Sequence, residues 1–234
     1  MNESKFKGGS NMTYSDIRRV ARENLQGNYW KSVGVAFVAA IFGALITSTG
    51  TSIDLDAEQI QHFPELLKKV LIIVGSVGGT LSLVQLILGG TVQLGYAKYL
   101  LNQHNHAALD IKDLFSQFDR FKQGFLQHLL RSLYVILWSL LFIIPGIIKA
   151  ISYSMTPFIM AENPDITAKE AIEASKQLMD GHKGELFTLG LTFFGWILLC
   201  ALTLGIGSFF LNPYINAAYA TFYKELTTPR AVTE

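Results

Sequence analysis

An all-α, polytopic membrane helix bundle of about six spans in three hairpins is the fold class this sequence predicts, and three observations predict it. Half of the 234 residues are hydrophobic and only 16% are charged, where a soluble domain carries about a quarter. Several apolar runs are long enough to cross a bilayer, which takes about 20 residues because every backbone amide must be satisfied within the segment. The same order of elements also recurs three times: a charged amphipathic segment, a glycine, then a pair of apolar helices.

Residues 1–11 are polar, contain glycine and show no apolar period, so a disordered N-terminal extension is expected there. The first thirty residues lack the short apolar core of a cleaved secretory signal. Residues 12–226 then read as a single integral membrane domain and 227–234 as a flexible cytoplasmic tail. The first amphipathic segment runs from Tyr14 to Gln26, with Ile17, Val20, Ala21 and Leu25 on one face and Arg18, Arg19, Arg22 and Glu23 elsewhere. Gly27 closes it before Tyr29-Trp30-Lys31. Ser32 to Thr49 and Val70 to Ala97 contain no charge and make spans one and two.

The second amphipathic segment carries Ile111, Leu114, Phe115 and Phe118 at helical spacing and ends at Gly124. The run from Phe125 to Ala161 holds only His128, Arg131 and Lys149 as basic residues. It is too long for one crossing and is broken at Pro145-Gly146, giving spans three and four. Arg131 and Lys149 lie near enough to the span ends to snorkel toward headgroups. The third segment shows Ala168, Ala171, Ile172, Leu178 and Met179 as a stripe, Thr167 and Glu170 at capping-box spacing, and Gly181 and Gly184 at its end. Leu186 to Tyr223 is uncharged and broken near Gly205-Ile206-Gly207, which gives spans five and six. Pro157-Phe158-Ile159-Met160-Ala161 matches Pro213-Tyr214-Ile215-Asn216-Ala217, and Trp138 and Gly146 parallel Trp196 and Gly205. Each amphipathic segment is expected to lie in the membrane interface with its apolar face toward lipid.

Basic residues set the orientation, since cytoplasmic loops carry the excess of them. With the N-terminus inside, the outer loops hold only Lys68, Lys69 and Lys149, and every other Lys and Arg falls on the cytoplasmic side or at the span ends facing it. Both termini are then cytoplasmic, in a multi-pass protein of the cell membrane. A net charge of +1 excludes a global attraction to nucleic acid, and the single Cys200 excludes an intramolecular disulfide.

The chain from Tyr14 to Trp30, Y-S-D-I-R-R-V-A-R-E-N-L-Q-G-N-Y-W, resembles the opening of a family of uncharacterised integral membrane proteins of Gram-positive bacteria, a domain of unknown function. Pro145-Gly146-Ile147-Ile148-Lys149, Tyr153, Pro157, Glu162, Pro164, Glu170-Ala171, Ser175, Leu178-Met179 and Gly181 resemble that family's most recognisable block. Phe193 to Trp196 and Pro213-Tyr214 continue it. More remotely, the chain is similar to the membrane domain that accompanies some bacterial glycerophosphodiester phosphodiesterases. The resemblance implies a polytopic cell-membrane protein and supplies neither an activity nor site residues.

A search for chemistry yields little. His104-Asn105-His106 offers two imidazoles without a completing ligand set and reads as a solvated loop, so no metal or other cofactor is expected. Glu162, Asp165 and Glu170 read as a turn and helix start. Phosphate-loop, zinc-protease and serine-hydrolase motifs are missing from the sequence, so an enzyme is not expected. Gly75, Gly79, Ser82, Gly89, Gly90 and Gln93 share one face of span two, a pattern that lets helix backbones approach. Gln85, Gln93, Asn212 and Asn216 are the intramembrane polar candidates, read first as interhelical glue and second as a polar path. Arg18, Arg19, Arg22 and Lys31 are the candidates for lipid headgroups. The expected partner is the phospholipid membrane, with a membrane-protein partner or a second copy of the chain as further options and no nucleic acid. A membrane scaffold, interaction or lipid-binding role ranks first, a permease or channel for a small solute or lipid second, and an intramembrane lipid-modifying enzyme third.

Overall fold

The computed structural model describes residues 12–41, 85, 87–141, 143–203 and 206–228, and these are helical with no β-strand among them. α1 is Tyr14–Leu25, α2 Tyr29–Ile41, and α3 covers residues 87–104. Two 3-10 turns, Ile111–Phe115 and Phe118–Arg120, lead into α4, Phe121–Leu141. α5 is Ile143–Ser152, α6 Thr156–Glu162 and α7 Ala168–Leu178. α8 is Lys183–Leu191, α9 Phe194–Leu202 and α10 Ile206–Thr227. The expected N-terminal extension, most of span two, the Lys68-Lys69 loop and nearly all of the tail lie outside the described residues, as do Gly75, Gly79 and Ser82.

α1 and α7 start for the same local reason. Thr13 and Asp16, like Thr167 and Glu170, form reciprocal capping boxes in which side chain and backbone satisfy each other's first-turn donors. Backbone and hydroxyl donation from Thr13 holds the Asp16 carboxyl below its usual range, and Thr167 does the same for Glu170. Both helices end in a left-handed glycine, Gly27 at φ 79° and Gly181 at φ 82°. Their apolar stripes face the protein rather than lipid. Ile17, Ala21 and Leu25 are buried where α1 packs on α10, and Ala168, Ala171 and Ile172 are buried where α7 packs on α4 and α6. Covering helices already present in the chain remove more apolar surface from water than an interfacial posture would, so only the polar faces stay outward.

The second amphipathic segment is not an α-helix. Asp110 caps a 3-10 turn through Lys112 N, and the carbonyl of Leu114 lies where a Cβ on Gly95 would come within 2.0 Å. Contact that close leaves the segment pinned against α3. Beyond it, a Cβ on Gly90 would come within 2.1 Å of Gly124 O, and one on Gly124 within 2.8 Å of Thr91 Cα. The small-residue face expected of span two is therefore a real helix contact at Gly90, and its partner is α4.

Pro145-Gly146 does not form the turn of the second hairpin. α4 ends at Leu141 and α5 begins at Ile143, which puts Pro145 in the first turn of α5, where a missing N–H costs nothing. The segment expected as span five is bent by 45° between α8 and α9, where the Thr192 hydroxyl donates to Leu189 O at 2.6 Å. Among the described residues, Ile144–Glu162 is long and apolar enough to cross a membrane, and the bent pair Lys183–Leu191 with Phe194–Cys200 meets the same test together.

Candidate functional site

The N-terminal helix and the last hairpin build a groove between them. The capping box starts α1 at Tyr14, and Gly27 turns the chain so that Leu25 and Tyr29 face α10. The Tyr29 hydroxyl donates to Phe210 O at 3.0 Å, one turn before Pro213, whose missing N–H interrupts the helix ladder. Trp30 packs edge-on against Phe210, and Phe37 lies tilted against Phe209. At the hairpin tip Gly207 lies so close to α9 that a Cβ would come within 2.9 Å of Cys200 Sγ. Its N–H donates to Thr203 Oγ1 at 3.1 Å. Phe193 packs edge-on against Tyr214, with ring centroids 5.2 Å apart.

The resulting groove has a volume of about 870 Å³. Trp196, Leu199, Cys200 and Thr203 form the α9 wall, while Gly207, Phe210, Leu211 and Tyr214 form the α10 wall. Leu25 and Tyr29 line the side of α1 and α2, and Arg22 and Gln26 supply a polar end. The Arg22 guanidinium lies 5.8 Å from the centroid of the Tyr214 ring, a cation–π distance. No carboxylate pairs with Arg22 among the described residues.

The other expected headgroup residues are placed elsewhere. Arg19 is engaged by Asp16 at 3.0 Å and Glu23 at 4.0 Å. Arg18 is half-buried, with its Nε lacking a partner among the described residues. Lys31 is exposed on α2. Lys149 lies 4.6 Å over the ring of Trp138, so it is seated on its own hairpin.

The amides expected to lie within the membrane do not gather into one site. Gln85, just before α3, donates to Ile41 O at the end of α2 at 3.2 Å. Asn216 Nδ2 donates to Asn212 O at 2.8 Å within α10, and its Oδ1 is buried without a partner among the described residues. Gln93 is 3% exposed with Oε1 in the same condition. Sequence reasoning missed Gln127, fully buried on α4 with neither amide atom paired among the described residues. A glutamine in an apolar run is its only sequence signal.

The carboxylates near span four serve the fold. Glu162 accepts from the Tyr223 hydroxyl at 2.7 Å and pairs with Lys224, joining α6 to α10. Arg120 donates to Met160 O at 3.0 Å and Asn163 O at 3.4 Å, at the C-terminal end of α6 where a cation is favoured. His104 does not stand in a solvated loop. It is half-buried, 3.3 Å from Asn24 Nδ2, and burial holds its pKa below the usual histidine value.

Residues 140–230 match the model of a family described as a protein of unknown function (DUF975). That stretch runs from the end of α4 through α10 and includes one wall pair of the groove but not α1. No curated protein and no solved structure matches the chain.

Proposed function

We propose that this chain is a non-catalytic, multi-pass protein of the cell membrane, with both termini in the cytoplasm, that acts as a lipid-binding or interaction scaffold. The observation that carries this reading is where the apolar surface lies. Ile136, Leu137, Ile144 and Ile147 on one hairpin, and Phe194, Ile197, Leu198 and Leu202 on the other, are exposed. The capped helices α1 and α7 instead present Arg19, Glu23, Glu173 and Lys176 outward. Exposed apolar hairpins beside helices whose outer faces are charged fit insertion into lipid. The six-span count belongs to the same proposal and draws also on the uncharged runs 32–49 and 70–97.

Cysteines at Ser52 and Asn105, in a Cys200→Ser background, test the topology. An impermeant thiol reagent on intact cells is expected to label position 52 alone, and equal labelling of both would end the model. A second reading, passage of a small solute, is favoured by the amide atoms of Gln93, Gln127 and Asn216 that have no partner among the described residues. Solute flux in proteoliposomes, abolished by Gln127→Leu, would put that reading first.

A further inference from the structure

We propose that the groove between α1, α9 and α10 binds one anionic phospholipid, with its phosphate on Arg22 and an acyl chain along Trp196, Leu199 and Leu211. This rests on the membrane reading above. The charge pattern selects the headgroup. Among the described residues, Arg22 is the only charged residue lining the groove and has no acidic partner. Arginine's planar fork suits phosphate.

The walls select the chain. Trp196 is 58% and Leu199 54% exposed, so the groove opens sideways onto the surface that lipid would cover. From Trp196 to Thr203 the α9 wall is about 10 Å long at 1.5 Å per residue. That is shorter than the ~15 Å of hydrocarbon in one leaflet, so the upper part of a chain is held and its end remains in the bilayer. A soluble anion would use Arg22 and leave the apolar walls without an occupant.

Trp196 gives a direct readout once Trp30→Phe and Trp138→Phe remove the other two tryptophans of the chain. The protein is reconstituted into phosphatidylcholine vesicles containing rising fractions of phosphatidylglycerol or phosphatidylcholine with brominated chains, which quench tryptophan on contact. Brominated phosphatidylglycerol is expected to quench at about fivefold lower mole fraction, the preference that one arginine near an anionic headgroup confers. Arg22→Gln should bring the ratio to one, and Arg22→Lys should retain much of it. Soluble glycerol phosphate should displace nothing. Equal quenching by the two lipids, an unchanged preference in Arg22→Gln, or displacement by glycerol phosphate would each overturn the lipid site. Protein that floats with vesicles yet shows no quenching by either lipid would mean that another segment or a second copy fills the groove, which also overturns it. Failure to float with vesicles at all is a separate result, and it removes the membrane reading along with the site.

Discussion

Trp138 and Trp196 hold corresponding places in two hairpins of similar sequence, but their surroundings differ. In the α4–α5 hairpin the tryptophan is capped by Lys149 from the same hairpin, and Tyr134 packs on Tyr153 across it. In the α9–α10 hairpin the tryptophan lines an open groove, and the nearest cation lining it, Arg22, comes from the far end of the chain. The prolines diverge as well. Before Pro157 the helix breaks, and hydroxyls take up the carbonyls there: Ser152 on Ile148, Ser154 on Ile151, Thr156 on Tyr153, and Ser175 of α7 on Ser152. Pro157 then falls in the first turn of a new helix. Pro213 stays inside one continuous helix, with the Tyr29 hydroxyl on Phe210 O. A Pro-aromatic-Ile motif therefore does not dictate a break. The donors within reach decide whether a broken turn is cheap or costly.

The glycines before the two hairpins should separate the units most sharply. Gly124 is required for space, with Thr91 Cα 2.8 Å from a would-be Cβ, whereas Gly181 has nothing within 4 Å and is required for φ +82°. Gly124→Ala is expected to cost about 3 kcal/mol by overpacking, and Gly124→Asn at least as much. Gly181→Ala should cost about 1–2 kcal/mol, and Gly181→Asn clearly less, because asparagine tolerates the left-handed region. Thermal melts in detergent of the four variants check this. Asparagine relieving both sites alike would show that the two glycines do the same job.

These two roles also mark how far the sequence could be read. Helix existence, the capping box at Thr167 and Glu170, and a small-residue contact face around Gly90 were all legible, because each is written within a few residues. The capping box at Thr13 and Asp16 was equally local and was passed over. What was not legible depends on contacts distant in sequence. Gly95 against Leu114 turns a helical apolar spacing into a 3-10 turn. Burial of α1 on α10 replaces the lipid-facing posture that amphipathicity alone suggests. Of the four basic headgroup candidates, periodicity could not single out Arg22, since its selection rests on Tyr214 in the last helix.

Ser175→Ala should come next in size. It removes a buried donor from Ser152 O, 2.9 Å away at the break, and a buried carbonyl left unpaired costs about 1–2 kcal/mol. Ser175→Cys, with a weak donor of similar volume, should recover part of the loss. An unchanged melt in Ser175→Ala would mean that the broken turn does not need α7, and the contrast between the two prolines would lose its cause.

The prolines themselves should then respond with opposite signs. Pro157→Ala returns freedom to the unfolded chain without adding a needed bond, so a loss of about 0.5–1 kcal/mol is expected. Pro213→Ala restores an interior helix N–H and should gain a similar amount, about 0.5–1 kcal/mol. Shifts of the same sign in the two melts would show that both positions are helix starts or that both are helix interiors.

The smallest effect concerns the contact between the N-terminal unit and the C-terminal end of α3. His104 is held below the usual histidine pKa by burial first, then by Lys224 and His106, with Glu225 opposing. A histidine whose pKa is lower in the folded state binds its proton more readily when unfolded. Above about pH 6.5, the ordinary histidine value, both states are neutral and nothing is lost. As pH falls below that, the unfolded chain takes up the proton first and stability declines. The Asp16 and Glu170 caps, held below the usual carboxylate range, keep their charge through this window. Melting at pH 7.5 and pH 5.5 should therefore show a small acid loss that His104→Gln reduces, since glutamine preserves a polar partner for Asn24 without titrating. An acid loss of the same size in the variant would place the sensitivity at other groups. It would also leave the Asn24 contact as packing alone, with α1 held on the bundle by Ile17, Ala21 and Leu25.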